Sequence, residues 1–161
     1  GENVRVVRAM PNTPAMVGEG MSGVCFSEDI YSDEEREMVH CYFTSFGKME
    51  KVDEKLMDVV GSASGCSPAY VYMFIEAMAD AAVLGGMPRD KAYRFAAQAV
   101  LGSAKMVLET GKHPGELKDM VCSPGGTTIE AVRVLEERGF RSSVIEAMIK
   151  CMEQSEKLSR S

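Results

Sequence analysis

Tryptophan is absent from this 161-residue sequence, and histidine nearly so, with only His40 and His113. Neither histidine has a partner at the spacing of a zinc site, so neither a metal ligand set nor a histidine-based nucleophilic triad is expected. No C-x-x-C pair occurs. The five cysteines, Cys25, Cys41, Cys66, Cys122 and Cys151, are odd in number and read as reduced thiols that mostly pack as small hydrophobes. No cluster of lysine or arginine offsets the net charge of −6, so binding to nucleic acid or to an anionic membrane surface is not expected. Long uncharged apolar runs are also missing. The longest candidate, Pro68 to Leu84, carries Glu76 and Asp80 near its middle, which argues against a membrane span. The first residues lack the pattern of a signal peptide, and a cytoplasmic location is expected.

Glycine, by contrast, is plentiful, and "GEGMSG" at residues 18 to 23 satisfies the G-x-G-x-x-G pattern of a dinucleotide-binding loop. That loop needs a strand running into its first glycine and a helix opening behind it. Upstream, Pro11 and Pro14 remove the donors a buried strand requires. Downstream, Val24, Cys25 and Phe26 look like a strand, and no helix starts on the glycines. The stretch is therefore expected to be a loop leading into a strand.

The opening third of the chain alternates in type. β-Branched content marks strands at residues 3–10, 23–26 and 48–52. A helix between the last two is opened by Ser32 with Glu35 three residues later, a reciprocal cap, and closed by Gly47. This is a scrap of α/β sheet with too few strands to cover its own faces. From Asp53 onward the strand signals stop. A short helix near 53–60 precedes "GSASGCSPAY", where Ser67 is expected to cap a new helix with Pro68 at its first position. That helix, reaching Leu84, is apolar nearly all round and has to be covered on every side. Gly85 and Gly86 end it. Pro88 starts an Ala-rich helix closed by Gly111, in which Ala96, Ala97, Ala99, Gly102 and Ala104 permit close approach of a neighbour. Shorter helices are expected near 114–121, 128–138 and 143–158, with Gly139 ending the second and "EKLSRS" frayed at the end. Such a body cannot cover itself, and burial by a second copy is expected.

Glu76 and Asp80 lie four apart on one helical face. They are expected to form a polar stripe met by bases such as Arg89, Arg94 or Lys105, in preference to an acid pair or metal site. The strongest candidate for chemistry is "CSPGGTTIEAV", residues 122–132. Ser123, Pro124, Gly125 and Gly126 make a tight turn running into a helix, where Thr127 and Glu130 have capping-box spacing. Consecutive N–H groups in such a turn, added to the positive end of a helix dipole, suit an anion. Without a lysine in the loop, a carboxylate fits better than a triphosphate. A merely capped helix fits the same residues equally well. The second candidate is "AMPNTPA", residues 9–15, where two prolines hold Asn12 and Thr13 in an extended loop at a strand end; an edge-strand exit would look the same.

In order and spacing, "MPNTP" at 10–14, "SGCSPAY" at 64–70, "FIEAMADAAVLGGMPRDKA" at 74–92 and above all "PGELKDMVCSPGGTTIEAVRVLE" at 114–136 resemble pyrroline-5-carboxylate reductase. The resemblance covers essentially the whole chain but not the whole enzyme. It implies a mainly α fold: a helical dimerisation domain with interleaved helices, preceded by the last strands and helix of an α/β Rossmann-type sheet. Residues 1–53 would be the remnant of the dinucleotide-binding domain and 54–161 the all-α dimerisation and substrate-binding domain. On the order of 100 residues carrying the true glycine fingerprint would then be absent, with Gly1 a fragment boundary or cloning remnant.

The family passes a hydride from NADPH or NADH to 1-pyrroline-5-carboxylate, a cyclic imine, giving proline. By this resemblance the turn holds the substrate carboxylate through Ser123, Gly125, Gly126, Thr127 and Thr128. The Thr128 hydroxyl is the catalytic group, hydrogen-bonding the ring nitrogen. The cofactor meets Met10, Pro11, Asn12 and Thr13, with Asn12 and Thr13 beside the nicotinamide and its ribose and Pro68 near the ring. One departure stands out: Cys66 and Ser67 occupy positions where the family usually has Ser-Gly, though Ser67 is still expected to cap. Cys122 adjoins the site without a base, and imine reduction needs no covalent intermediate. The resemblance further implies a homodimer, with rings of dimers in some members. A reading from another class is a non-catalytic helical oligomerisation module.

Overall fold

A computed structural model describes residues 4–160. Gly1 and Asn3, named above as boundary and strand start, lie outside the described residues. The elements are β1 (Arg8–Met10), β2 (Gly20–Cys25), α1 (Asp33–Thr44), β3 (Gly47–Lys51), α2 (Met57–Val60), α3 (Ser67–Leu84), α4 (Arg89–Thr110), α5 (Pro114–Met120), α6 (Thr127–Glu137) and α7 (Phe140–Ser159). The fold is mainly helical with one small sheet. By internal contacts the chain divides into two compact units, one made of residues up to Tyr70 together with those from Glu146 onward, the other of Val71–Ile145. The boundary expected after Asp53 falls inside the first.

In the first unit the sheet has the order β1-β2-β3, β1 antiparallel and β3 parallel to β2. Strand β2, helix α1 and strand β3 thus form one crossover unit. The first strand is shorter than expected because its partner ends: Arg8 pairs with Cys25, the last residue of β2, leaving residues before it no ladder to join. Helix α1 opens with the anticipated reciprocal cap, the Glu35 N–H donating to Ser32 Oγ at 3.2 Å and the Ser32 N–H to Glu35 Oε2 at 2.9 Å.

Gly47 does not close that helix, which ends at Thr44 with Ser45 as its cap. It is instead the first residue of β3, directly opposite Gly20. A Cβ at 47 would collide with the Gly20 carbonyl, so glycine is required for the two strands to meet. Gly47→Ala is expected to lower stability by about 2 kcal/mol, as an overpacked site does; urea melts of the two proteins measure it.

From Met57 the backbone stays helical through Leu84, which corrects the expectation of a fresh start at Ser67. Gly61–Cys66 form a π-helical segment between α2 and α3, and Ser67 has φ −58° and ψ −27°, helical values incompatible with a capping role. The wide turn absorbs Pro68, whose ring and missing N–H an uninterrupted α-helix would not tolerate. Helix α7 likewise runs past the expected frayed end to Ser159. It is held there by an Arg160–Glu156 ion pair and by the Ser155 hydroxyl donating to Asp58 at 2.7 Å.

The second unit is built around Ala79 of α3 against Ala92 and Ala96 of α4, with Ile75, Met78, Ala82, Val83 and Met87 packed around them. Small residues bring these helices together, as anticipated. Of the five small residues singled out, only Ala96 is buried in that contact, while Ala97, Ala99 and Ala104 are exposed. The two-helix turn contains Gly86 at φ 93°, Pro88 caps α4, and Gly111 ends it at φ 63°. Among the described residues the buried apolar set is only Val24, Met57, Ala79, Ala92 and Ala96, while Leu84 is 90% and Leu108 83% exposed. A chain of this length normally buries far more of its apolar surface.

Candidate functional site

The turn before α6 is built as its residues require. The Gly126 N–H donates to the Ser123 carbonyl at 3.0 Å, with Pro124 second and Gly125 third at φ 67°. Proline supplies the fixed φ of the second position, and only glycine readily supplies a positive one at the third. A Cβ on Gly126 would strike the Ser123 hydroxyl, so the second glycine lets that hydroxyl lie over the turn.

One detail corrects the sequence reading: the cap of α6 is Gly126, at φ −80° and ψ 170°, and makes no side-chain hydrogen bond. Thr127 sits one residue inside the helix, and Glu130 accepts from Arg133 Nε at 3.1 Å in place of closing a capping box. The consequence favours ligand binding. The N–H groups of Thr127, Thr128 and Ile129 have no side-chain cap, and they sit at the positive end of an 11-residue helix. Thr128 is half-buried, and among the described residues neither its hydroxyl nor that of Thr127 has a hydrogen-bond partner. Donors converge at the turn, and nothing in the second unit uses them.

In the first unit Met10 ends β1, Pro11 is exposed, and Asn12 is extended at φ −128° and ψ 166°. Thr13 departs from the expected extended loop. It opens a 3-10 turn, Thr13–Val17, because Pro14 carries the φ of a first helical turn. Asn12 does more than the sequence suggested. Its Oδ1 accepts from the Met21 N–H at 2.9 Å, and its Nδ2 donates to the Ser64 carbonyl at 3.1 Å. In an α-helix that carbonyl would receive the N–H of residue 68, which is proline and has none. Asn12 thus satisfies the acceptor that Pro68 orphans and clasps strand β2 to the π segment. Sequence reasoning could have identified the orphan carbonyl, but not the side chain that answers it.

Met10 and Pro11 line a cavity of about 270 Å3 together with Gly61, Ser62, Gly65, Cys66 and others from the π segment and α7. The Met10 side chain rests on the glycines of that segment, close to Gly61 and Gly65. The volume lies just below the roughly 300–1,000 Å3 of small-molecule sites, enough for one ring of a dinucleotide but not for its phosphates. The "GEGMSG" glycines offer no phosphate cradle either. Gly18 follows the 3-10 turn, while Gly20 and Gly23 lie within β2, with no helix behind them.

Asp80 pairs with Arg89, one of the bases expected to meet it, while Arg94 and Lys105 pair along their own helix with Asp90 and Glu109. His113, unassigned by the sequence, caps α5 by accepting the Gly115 N–H on Nδ1 at 3.0 Å. His40 does have neighbours with ligand atoms, contrary to expectation. Helical spacing on α1 brings Glu37, His40 and Cys41 within 4.8 Å of one another, all exposed. The Glu37 carboxylate accepts from the Cys41 thiol and pushes its pKa up. Among the described residues no helix is long and apolar enough to cross a membrane.

The family model for pyrroline-5-carboxylate reductase dimerisation matches residues 54–158. The chain belongs to this family. It is 64% identical over its full length to pyrroline-5-carboxylate reductase of Escherichia coli K12, and 48% identical over 99% of its length to that of Methanosarcina acetivorans. It spans only 60% and 58% of those two proteins. Among solved structures it is similar to the Coxiella burnetii reductase, with a TM-score of 0.91 and 33% identity over 98% of this chain and 58% of that one. It is also similar to the Plasmodium falciparum reductase, solved with NADP bound, with a TM-score of 0.88 and 36% identity over 96% of this chain and 62% of that one.

Proposed function

We propose that this chain is the dimerising and substrate-binding portion of a pyrroline-5-carboxylate reductase that reduces 1-pyrroline-5-carboxylate to L-proline. Residues 1–53 are then the end of the dinucleotide-binding domain and 54–161 the helical domain. The observation that carries the reading is the Ser123–Thr128 turn, whose unclaimed N–H groups and free Thr128 hydroxyl match what a cyclic imino acid presents. Its carboxylate takes the N–H groups of Thr127 and Thr128, with Gly126, whose own N–H closes the turn on the Ser123 carbonyl, and Ser123 and Gly125 beside it. Its ring nitrogen accepts from the Thr128 hydroxyl, which orients the imine and supports its protonation. These groups position and polarise; they do not form covalent bonds with the substrate.

NADPH or NADH, when bound, supplies the hydride. The cavity beside Met10 and Pro11 fits the nicotinamide end, with Asn12, Thr13 and Pro68 following those lining residues or the π segment in the chain, and the phosphates belong to a further part that the longer relatives possess. Asn12 has its amide committed to the backbone of β2 and the π segment, so its contribution there is to hold Met10 and Pro11 in place. The uncovered apolar surfaces of α3 and α4 are those a second copy covers, giving an interleaved homodimer that can build rings. The whole enzyme is expected to act in the cytoplasm. The second reading, an oligomerisation module without catalysis, is how the isolated chain behaves.

Titrating L-proline into 15N-labelled chain tests the cradle directly. Amide resonances of Gly125 to Ile129 are expected to shift in a saturable way, with Gly126→Ala abolishing the response. Shifts confined to other residues would overturn the assignment.

A further inference from the structure

The sequence offers no C-x-x-C pair, yet the fold brings two distant thiols together. Cys66 closes the π segment and Cys151 lies on α7, and both line the cavity that Met10, Pro11, Asp58 and Ser155 share. The Cys151 thiol is the largest influence on Cys66, ahead of burial, and raises its pKa; burial first, and then both sulfurs, raise that of the Tyr70 phenol. We propose that Cys66 and Cys151 are a redox-sensitive dithiol that closes to an intrachain disulfide and clamps the π segment to α7.

The oxidant is a peroxide or a small disulfide such as oxidised glutathione. With peroxide, one thiolate takes an oxygen as sulfenic acid, releasing hydroxide. The second thiolate displaces it, forming the S–S bond and releasing a further hydroxide that ends as water, so the two thiols lose two electrons and two protons in all. With a small disulfide, one thiolate forms a mixed disulfide and expels one small thiol, and the second closes the bond and expels the other. Each half of the pair sits on a helical element of the same compact unit, and a bond across the cavity would tie Gly61–Cys66 to α7, where Ser62 Oγ already donates to the Met148 carbonyl at 3.0 Å. The charged and titratable groups facing the pair are Asp58 from α2 and Tyr70 from α3. Because the Cys66 pKa lies above that of an ordinary thiol, little thiolate is present at neutral pH. Closure is slow there and accelerates as pH rises beyond the usual range of about 8.5. The inference does not depend on the proposed activity.

The test uses an equal mixture of 14N- and 15N-labelled chains exposed to hydrogen peroxide or oxidised glutathione, alkylated, and digested without reduction. The expected product joins the tryptic peptide containing Cys66 to that containing Cys151, with both halves carrying the same isotope. It is lost in Cys66→Ser and in Cys151→Ser and forms faster at pH 9 than at pH 7. Amide exchange across Gly61–Cys66 should slow in the oxidised protein. Independent alkylation of both cysteines, stable mixed disulfides with glutathione, or mixed-isotope cross-links as the main product would each overturn the proposal.

Discussion

Given NADPH and pyrroline-5-carboxylate, the 161-residue chain is expected to turn over no substrate while sedimenting as a dimer. The loss is total because the two requirements of hydride transfer are divided unequally. The proposed substrate cradle is complete, with its turn at Ser123–Gly126 closed and the first N–H groups of α6 uncapped. For a dinucleotide the proposed site is a cavity of about 270 Å3 beside Met10 and Pro11, and the glycines that imitate its phosphate loop are spent in and beside strand β2. A cofactor held by its nicotinamide end alone forfeits the phosphate contacts that supply most of its affinity. Dimerisation, in contrast, needs only the helical part. With five buried apolar residues among those described, and Leu84 and Leu108 standing almost fully in solvent, the apolar faces gain far more from a second copy than association costs. Analytical ultracentrifugation and a nicotinamide absorbance assay check both halves of the prediction. Measurable turnover by this chain, or a monomer at micromolar concentration, would refute it. Joining the chain to the cofactor-binding part of a full-length relative should restore activity, and that result separates a missing cofactor site from a misassigned family role.

In the joined enzyme, Thr128→Ala is expected to lower kcat by about 10²-fold, the loss typical of removing one aligned proton donor, with a much smaller change in KM. The half-buried hydroxyl has no competing partner among the described residues, and its backbone is fixed in the first turn of α6. In the proposed role it reaches the ring nitrogen without first breaking another bond. Thr128→Ser keeps the hydroxyl and loses only the methyl group that restricts its rotamer, so a loss of a few fold is expected. Steady-state kinetics of the two variants decide between roles: equal losses would mean that the side chain serves packing, and the hydroxyl assignment would fall.

Particular residues show where sequence reading succeeded. The capping box of α1 could be read from Ser32 and Glu35 because it depends on two side chains three apart and their own backbone. The turn at Ser123–Gly126 was equally legible, since proline and glycine impose their dihedral angles locally. Gly47 was misread for the opposite reason. A glycine after a helical pattern usually caps it, but here the demand comes from Gly20 on a neighbouring strand, which no local pattern reveals. Ser67 and Pro68 form a sound helix-start signal, overridden because the π segment lets the helix continue through proline while Asn12, far away in sequence, satisfies the Ser64 carbonyl. Thr127 and Glu130 had the right spacing for a cap one residue too late, and the glycine before them took the position.

The sequence by itself determined the mainly helical character, most helix ends, the isolated α/β scrap, the family resemblance and the tight turn before α6, because periodicity, capping and turn chemistry act over a few residues. Tertiary structure alone decided the clasp made by Asn12, the glycine pair between β2 and β3, the choice of Arg89 over Arg94 and Lys105 as the partner of Asp80 and the placing of Cys66 and Cys151 on one cavity. Each of these joins groups far apart along the backbone or on different elements, and such encounters are selected by the packing of whole elements, not by the preferences of the residues that meet.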